Sequence, residues 1–200
     1  MIGGQEPARG VGPLEEGPES RPPVDHVAEV LAPVAAEVTP SFLDLDPDGW
    51  TDVLTGCDGP RFWDRVISSE QARNLRHERT ATIALIEFAG IEVAAQRWGQ
   101  DLARQLFQRL ARVLASEIRS SDHIARIGQT RFAVLLVETD EILAINFVDR
   151  IRHRCASEID PELHGFRIGI GWASPAVGGS LREAQRLAAE RLQAELAQQA

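Results

Sequence analysis

Few residues in this 200-residue chain can do chemistry by type and spacing. Arg119 and Asp122 make an R-x-x-D pair, a forked cationic donor set close to a carboxylate acceptor. Such a pair can grip a planar polar ligand. It can equally close a turn, with Arg119 opposing the dipole at a helix end and Asp122 capping the entry to the next strand. Cys57 and Cys155 are the two thiols, too few for a disulfide framework, and the five histidines show no metal-ligand spacing. Both thiols read as packed or partly exposed groups in a reducing compartment rather than nucleophiles, although His153 lies near Cys155 on a charged helix face. Gly178 and Gly179 read as a loop and not a phosphate cradle, because no Lys follows them. Trp50 and Trp63 read as core or staple residues, and Trp172 as packing at the end of its strand.

Periodicity gives the elements that must position these residues. A helix is expected from Pro60 to about Leu75, with Pro60 in its first turn. Thr80 to Phe88 reads as a buried strand. A longer helix runs from about Asp101 to Arg119, its apolar face formed by Leu102, Leu106, Leu110, Val113, Leu114 and Ile118. Strands His123 to Ile127 and Arg131 to Glu138 form a hairpin around Gly128, Gln129 and Thr130. A helix from about Glu141 to Ala156, a strand from Phe166 to Ala173 and a helix from about Leu181 to Ala197 follow. The order α-β-α-β-β-α-β-α predicts an α+β fold with a mainly antiparallel sheet and helices packed on it.

All 21 basic residues are Arg, Tyr is absent, and the net charge of -9 argues against a DNA partner. The charge is uneven: residues 1–48 hold ten Asp/Glu against Arg9 and Arg21, together with eight of the eleven prolines. That stretch is expected to be a disordered acidic tail, the remainder (49–200) a single domain. Within the tail, Val27, Val30, Leu31, Val34 and Val38 recur at helical spacing over residues 25–38, a candidate docking helix despite Pro33. No run of about eighteen apolar residues and no signal-peptide pattern is visible, so the expectation is a cytoplasmic protein that does not meet the membrane.

The segment Asp52, Val53, Leu54, Thr55, Gly56 resembles the D-x-L-T-G entry motif of GGDEF domains, the diguanylate cyclase family. The family's tight hairpin, with an Arg two residues before its first Gly, falls here on Arg126, Ile127, Gly128, Gln129, Thr130, Arg131 and Phe132. Trp98 and Gly99 match its aromatic-Gly pair, and Ile168 to Gly171 resembles its S-x-G strand with Gly169 in place of Ser. The resemblance implies the palm-like sheet shared with class III nucleotide cyclases. It also implies a chemistry: a homodimer whose protomers each hold one GTP, with Mg²⁺ assisting the joining of the two into cyclic di-GMP.

The positions that would carry that chemistry are altered in this sequence. The signature's two acids fall on Thr130 and Arg131, and the Gly that lets phosphate approach falls on Gln129, beside a retained Gly128. The first-strand metal ligand is Glu87, its companion Ala89, and the guanine-reading Asn and Asp fall on Ala95 and Arg104. Between Ala188 and Ala200 the one cation is Arg191, where the family has phosphate-neutralising residues. These replacements imply no diguanylate cyclase activity, no metal and no cofactor, with Arg131 expected to pair with Glu87 where the metal would sit. The R-x-x-D pair, by contrast, has the spacing of the family's inhibitory product site. Arg119 can donate to O6 and N7 of a guanine and Asp122 can accept from its N1–H and amine, with Arg76, Arg79 or Arg150 as helpers. The function expected is a catalytically inactive regulatory module that binds cyclic di-GMP. The alternative is a ligand-free protein-interaction scaffold with an unidentified protein partner, acting through its N-terminal segment or a sheet or helix surface; an active cyclase ranks last.

Overall fold

The computed structural model describes residues 41–77, 79–176 and 178–199. The candidate helix at 25–38, and the tail as far as residue 40, lie outside the described residues.

Nine elements follow a single 3₁₀ turn at Phe42–Asp44: α1 (Pro60–His77), β1 (Ala81–Ala89), α2 (Ile91–Trp98), α3 (Gln100–Glu117), β2 (His123–Arg126), β3 (Arg131–Val137), α4 (Leu143–Ala156), β4 (Arg167–Ala173) and α5 (Leu181–Gln198). The sheet order is β2-β3-β1-β4 and every pairing is antiparallel. β1 lies inside the sheet and is covered on both faces, which is why it reads as a near-continuous apolar run rather than an alternation. Ala84, Ile86 and Phe88 face α2, α3 and α4 in a core that includes Phe107, Phe132 and Phe147. Ile83 and Leu85 face α1 and α5, against Trp63, Ile67, Ala188 and Leu192.

Glycine sets two close approaches. A Cβ on Gly171 would lie 2.0 Å from the carbonyl oxygen of Ala188, so β4 lets α5 pack directly on its backbone. A Cβ on Gly90 (φ 83°) would lie 2.2 Å from the carbonyl oxygen of Gly165.

The structure departs from the periodicity in three places. Residues 91–98 form a separate helix, α2, that the sequence reading left without an element; Gly99, at φ 89°, breaks it from α3. The boundary at residue 48 cuts through packed structure: Phe42 is 1% exposed and belongs to the core with Phe107, because a capping box between Ser41 and Asp44 turns the chain onto the domain. Of the two expected core or staple tryptophans, Trp63 is buried and Trp50 is half-exposed, with the Arg65 guanidinium over its ring.

Candidate functional site

The β2–β3 hairpin is held from beneath by one buried cation. Arg126 is 1% exposed and sits 5.4 Å from the centroid of the Phe107 ring. Its Nη1 donates to Asp52 Oδ1 at 2.9 Å, its Nε and Nη2 donate to the Gln129 carbonyl at 3.1 and 2.7 Å, and Nη2 also donates to the Leu45 carbonyl at 2.8 Å. Asp52 uses its other oxygen on the N–H and hydroxyl of Thr55, closing the entry turn. The D-x-L-T-G segment and the hairpin tip are thus joined through a fork that only Arg can supply. A charge this deep stays in the core because each of its nitrogens has an acceptor.

Above this support, β1 and β3 place Glu87 opposite Arg131, with Gly169 of β4 on Glu87's other side. Arg131 donates to Glu87 Oε2 from Nε at 2.7 Å and from Nη2 at 2.5 Å, and Thr130 Oγ1 lies 3.5 Å from Oε1. The expected ion pair is present. Both members are partly exposed, at 34% and 21% of their side chains, so the pair lies at the surface of the sheet's end rather than in the core. Ala95 is buried in the α2 core, and Arg104 lies over the Phe42 ring at 6.0 Å. Gln129 is exposed with its carbonyl held by Arg126, and Gly128 has room for a side chain, since its nearest neighbour is Arg131 Cβ at 3.4 Å. Among the described residues no three His, Cys, Asp or Glu side chains come together as a metal site.

Arg119 and Asp122 are adjacent, but they present different surfaces. Asp122 is 8% exposed and its carboxylate serves the backbone: Oδ2 accepts from the Arg119 N–H at 3.0 Å and Oδ1 from the Val137 N–H at 3.0 Å. That is the turn cap weighed from the sequence. The Arg119 guanidinium is exposed and has no side-chain partner among the described residues. It opens onto a groove of about 500 Å³ shared with Arg73, Arg79, Ser121 and His123, in which Arg73 pairs with Glu70 and Arg79 with Glu138. Of the other suggested helpers, Arg150 is bound to Glu117, and Arg76 is exposed at the end of α1 and does not line the groove.

Both thiols are buried. Burial pushes the Cys155 thiol up to about 12, with Glu158 and Glu117 adding to the effect, and burial likewise raises Cys57. Burial also raises the Asp58 carboxyl, against the opposing influence of His123. The role of Arg126 was missed by the sequence reading, although an Arg inside an apolar strand together with a D-x-L-T-G turn was the available signal.

A fold of this order, with a forked Arg locking an entry turn to a hairpin, defines a class. Residues 49–200 match the family model "Diguanylate cyclase, GGDEF domain", and the chain belongs to the GGDEF domain family. Among curated relatives, the "Probable diguanylate cyclase DgcC" of Escherichia coli K12 is 31% identical over 100 residues, covering 50% of this chain and 27% of that protein. "Diguanylate cyclase DosC" of the same strain is 25% identical over 103 residues, covering 52% of this chain and 22% of its own. The matches therefore span about a quarter of those proteins' length. Among solved structures, the GGDEF domain of DgcB from Caulobacter crescentus in complex with c-di-GMP superposes with a TM-score of 0.67 at 19% identity, covering 75% of this chain and 89% of that one. Diguanylate cyclase SiaD in complex with its activator SiaC, from Pseudomonas aeruginosa, gives 0.66 at 21% identity, covering 74% and 58%. No helix among the described residues is long and apolar enough to cross a membrane.

Proposed function

We propose that this chain is a regulatory GGDEF module that does not synthesise cyclic di-GMP and instead binds it. The observation that carries the first half is the Glu87–Arg131 pair. A divalent cation held at Glu87 would face a guanidinium already bound to the same carboxylate oxygen, and the neighbouring signature position offers only the Thr130 hydroxyl. The Ala95 and Arg104 positions offer no carboxylate or carboxamide to the base. With metal and base contacts both replaced, little remains to orient or activate GTP.

Binding rests on Arg119. Its free fork suits the O6/N7 edge of guanine, and Arg73 and Arg79 in the same groove would reach the two phosphates of the dinucleotide by leaving Glu70 and Glu138. Asp122 contributes by fixing the loop that presents Arg119, with its carboxylate on the Arg119 backbone N–H. The DgcB domain, solved with c-di-GMP, offers the same fold for such a ligand. Titration calorimetry with cyclic di-GMP, and separately with GTP and Mg²⁺, tests the reading. Heat with the dinucleotide that disappears in Arg119→Ala, with no GTP turnover, supports it, and GTP turnover overturns the first half.

A second reading has its own observation. Ile142, Leu143 and Ile145 are 76%, 56% and 43% exposed around the start of α4, a row of aliphatic side chains that fits a protein partner. SiaD was solved with a protein activator. Silence with both nucleotides favours this scaffold reading over the receptor.

A further inference from the structure

β4 is an edge strand, and four of its outward backbone groups are bonded to side chains. The Ile170 N–H donates to Glu195 Oε2 at 2.6 Å, and the Ser174 N–H donates to Glu141 Oε2 at 3.3 Å. The Trp172 carbonyl accepts from Arg191 Nη1 at 2.5 Å, and the Ile168 carbonyl meets Gln199 Nε2 at 3.5 Å. A neighbouring antiparallel strand would engage both backbone groups of each of these residues; the side chains take one at each, the carbonyl of Ile168 and Trp172 and the N–H of Ile170 and Ser174. Arg191 and Glu195 stand four residues apart on α5 and Gln199 four further on at its C-cap, so one stripe of the helix and its end carry three of the four groups. Two ion pairs then tie this stripe to the α4 side of the sheet, Arg191–Glu141 and Glu195–Arg152, both at 2.5 Å. α4 and α5 pack on opposite faces of the sheet, so these pairs close over the edge from both sides.

We propose that this row is a guard that prevents β4 from pairing with β4 of a second copy of the chain. The occupant follows from the edge itself. Turned about Ile170, an antiparallel copy sets Ile168 opposite Trp172 of the other chain, and every outward carbonyl meets an outward N–H. An unguarded edge of this kind is a template for strand addition.

The test uses the full chain. Arg191→Ala/Glu195→Ala is compared with the wild type at equal concentrations by light scattering, with circular dichroism reporting the fold. The mass is expected to double relative to the wild type in a concentration-dependent way. Glu195→Gln, which keeps a carbonyl oxygen for the Ile170 N–H, is expected to stay at the wild-type mass. A folded double variant at the wild-type mass overturns the proposal. If the double variant does not fold, Glu195→Ala alone takes its place: a concentration-dependent doubling of its mass supports the guard, and a folded single variant at the wild-type mass overturns it.

Discussion

Glu87 and Arg131 sit directly opposite each other in the β1–β3 register, and both bonding nitrogens of the guanidinium converge on one carboxylate oxygen. That oxygen already carries a fixed cation. Arg131→Ala is therefore expected to cost little stability, about 0.5–1 kcal/mol, because the pair is partly exposed and screened. It is also expected not to create GTP turnover, since Thr130, Ala95 and Arg104 remain. Chemical denaturation and a product assay with GTP and Mg²⁺ check the two halves; cyclic di-GMP made by the variant would show that the ion pair alone silences the site.

The Asp52–Arg126 pair differs in kind, with its side chains 3% and 1% exposed. Asp52→Ala leaves a buried guanidinium without its counter-charge, a loss on the order of 3–5 kcal/mol. It also frees the Thr55 N–H and hydroxyl. Urea denaturation should show a much larger shift here than for Arg131→Ala, and a shift of equal size would mean that water reaches Arg126.

Gly171→Ala tests the close approach of α5 to β4. The new methyl group would meet the Ala188 carbonyl and the backbone nitrogen of Leu192, which lies 2.4 Å from the added Cβ, so a helix must move rather than a side chain. A cost of at least about 1–3 kcal/mol is expected, read as a lower melting temperature. A wild-type melting temperature would show that α5 can slide on the sheet.

The chain contains no Lys and no Tyr, so its alkaline titration belongs to the cysteines and the α-amino group until Arg begins to ionise above about 12. In the fold the Cys155 thiol is held at about 12, against 9.0 in an open chain. The unfolded chain therefore releases this proton first, and deprotonation favours unfolding. Stability from this group is fully present below pH 9.0 and falls as the pH rises toward about 12, by up to about 1.4 kcal/mol per pH unit. Urea midpoints between about pH 8 and about pH 11 check this. Cys155→Ala should lower the whole curve through lost packing while flattening its slope.

The sequence carried the architecture where pattern and environment agree. β1 and β3 announce themselves as apolar runs because both of their faces are covered, and α3 and α5 because one stripe of each meets a core. α2 escaped because its eight residues bury only Ile91, Ala94 and Ala95, too short a stripe to show a period. Phe42 escaped because prolines and acids surround it, and what folds it inward is a local cap rather than a pattern. In the site, the Glu87–Arg131 pair was legible from the resemblance, which sets both residues at positions that would share one metal, although β1 and β3 are far apart in sequence and meet only in the sheet. The division of labour between Arg119 and Asp122 was not. It depends on the Val137 N–H reaching Asp122 from the far end of the hairpin, a contact that spacing does not encode.

β1 pairs with β3 on one side and β4 on the other, and α2, α3 and α4 all intervene in sequence before β4. On the ribosome, β1, β2 and β3 can assemble while β4 is still unmade, leaving the strand that will be central as a raw, strongly apolar border. The vulnerable interval runs from the emergence of Val137 from the ribosome to the emergence of Ala173. Delaying emergence in that interval is expected to lengthen the life of that border and to lower the yield of folded protein, whereas a delay after Ala173 has emerged finds β1 already enclosed.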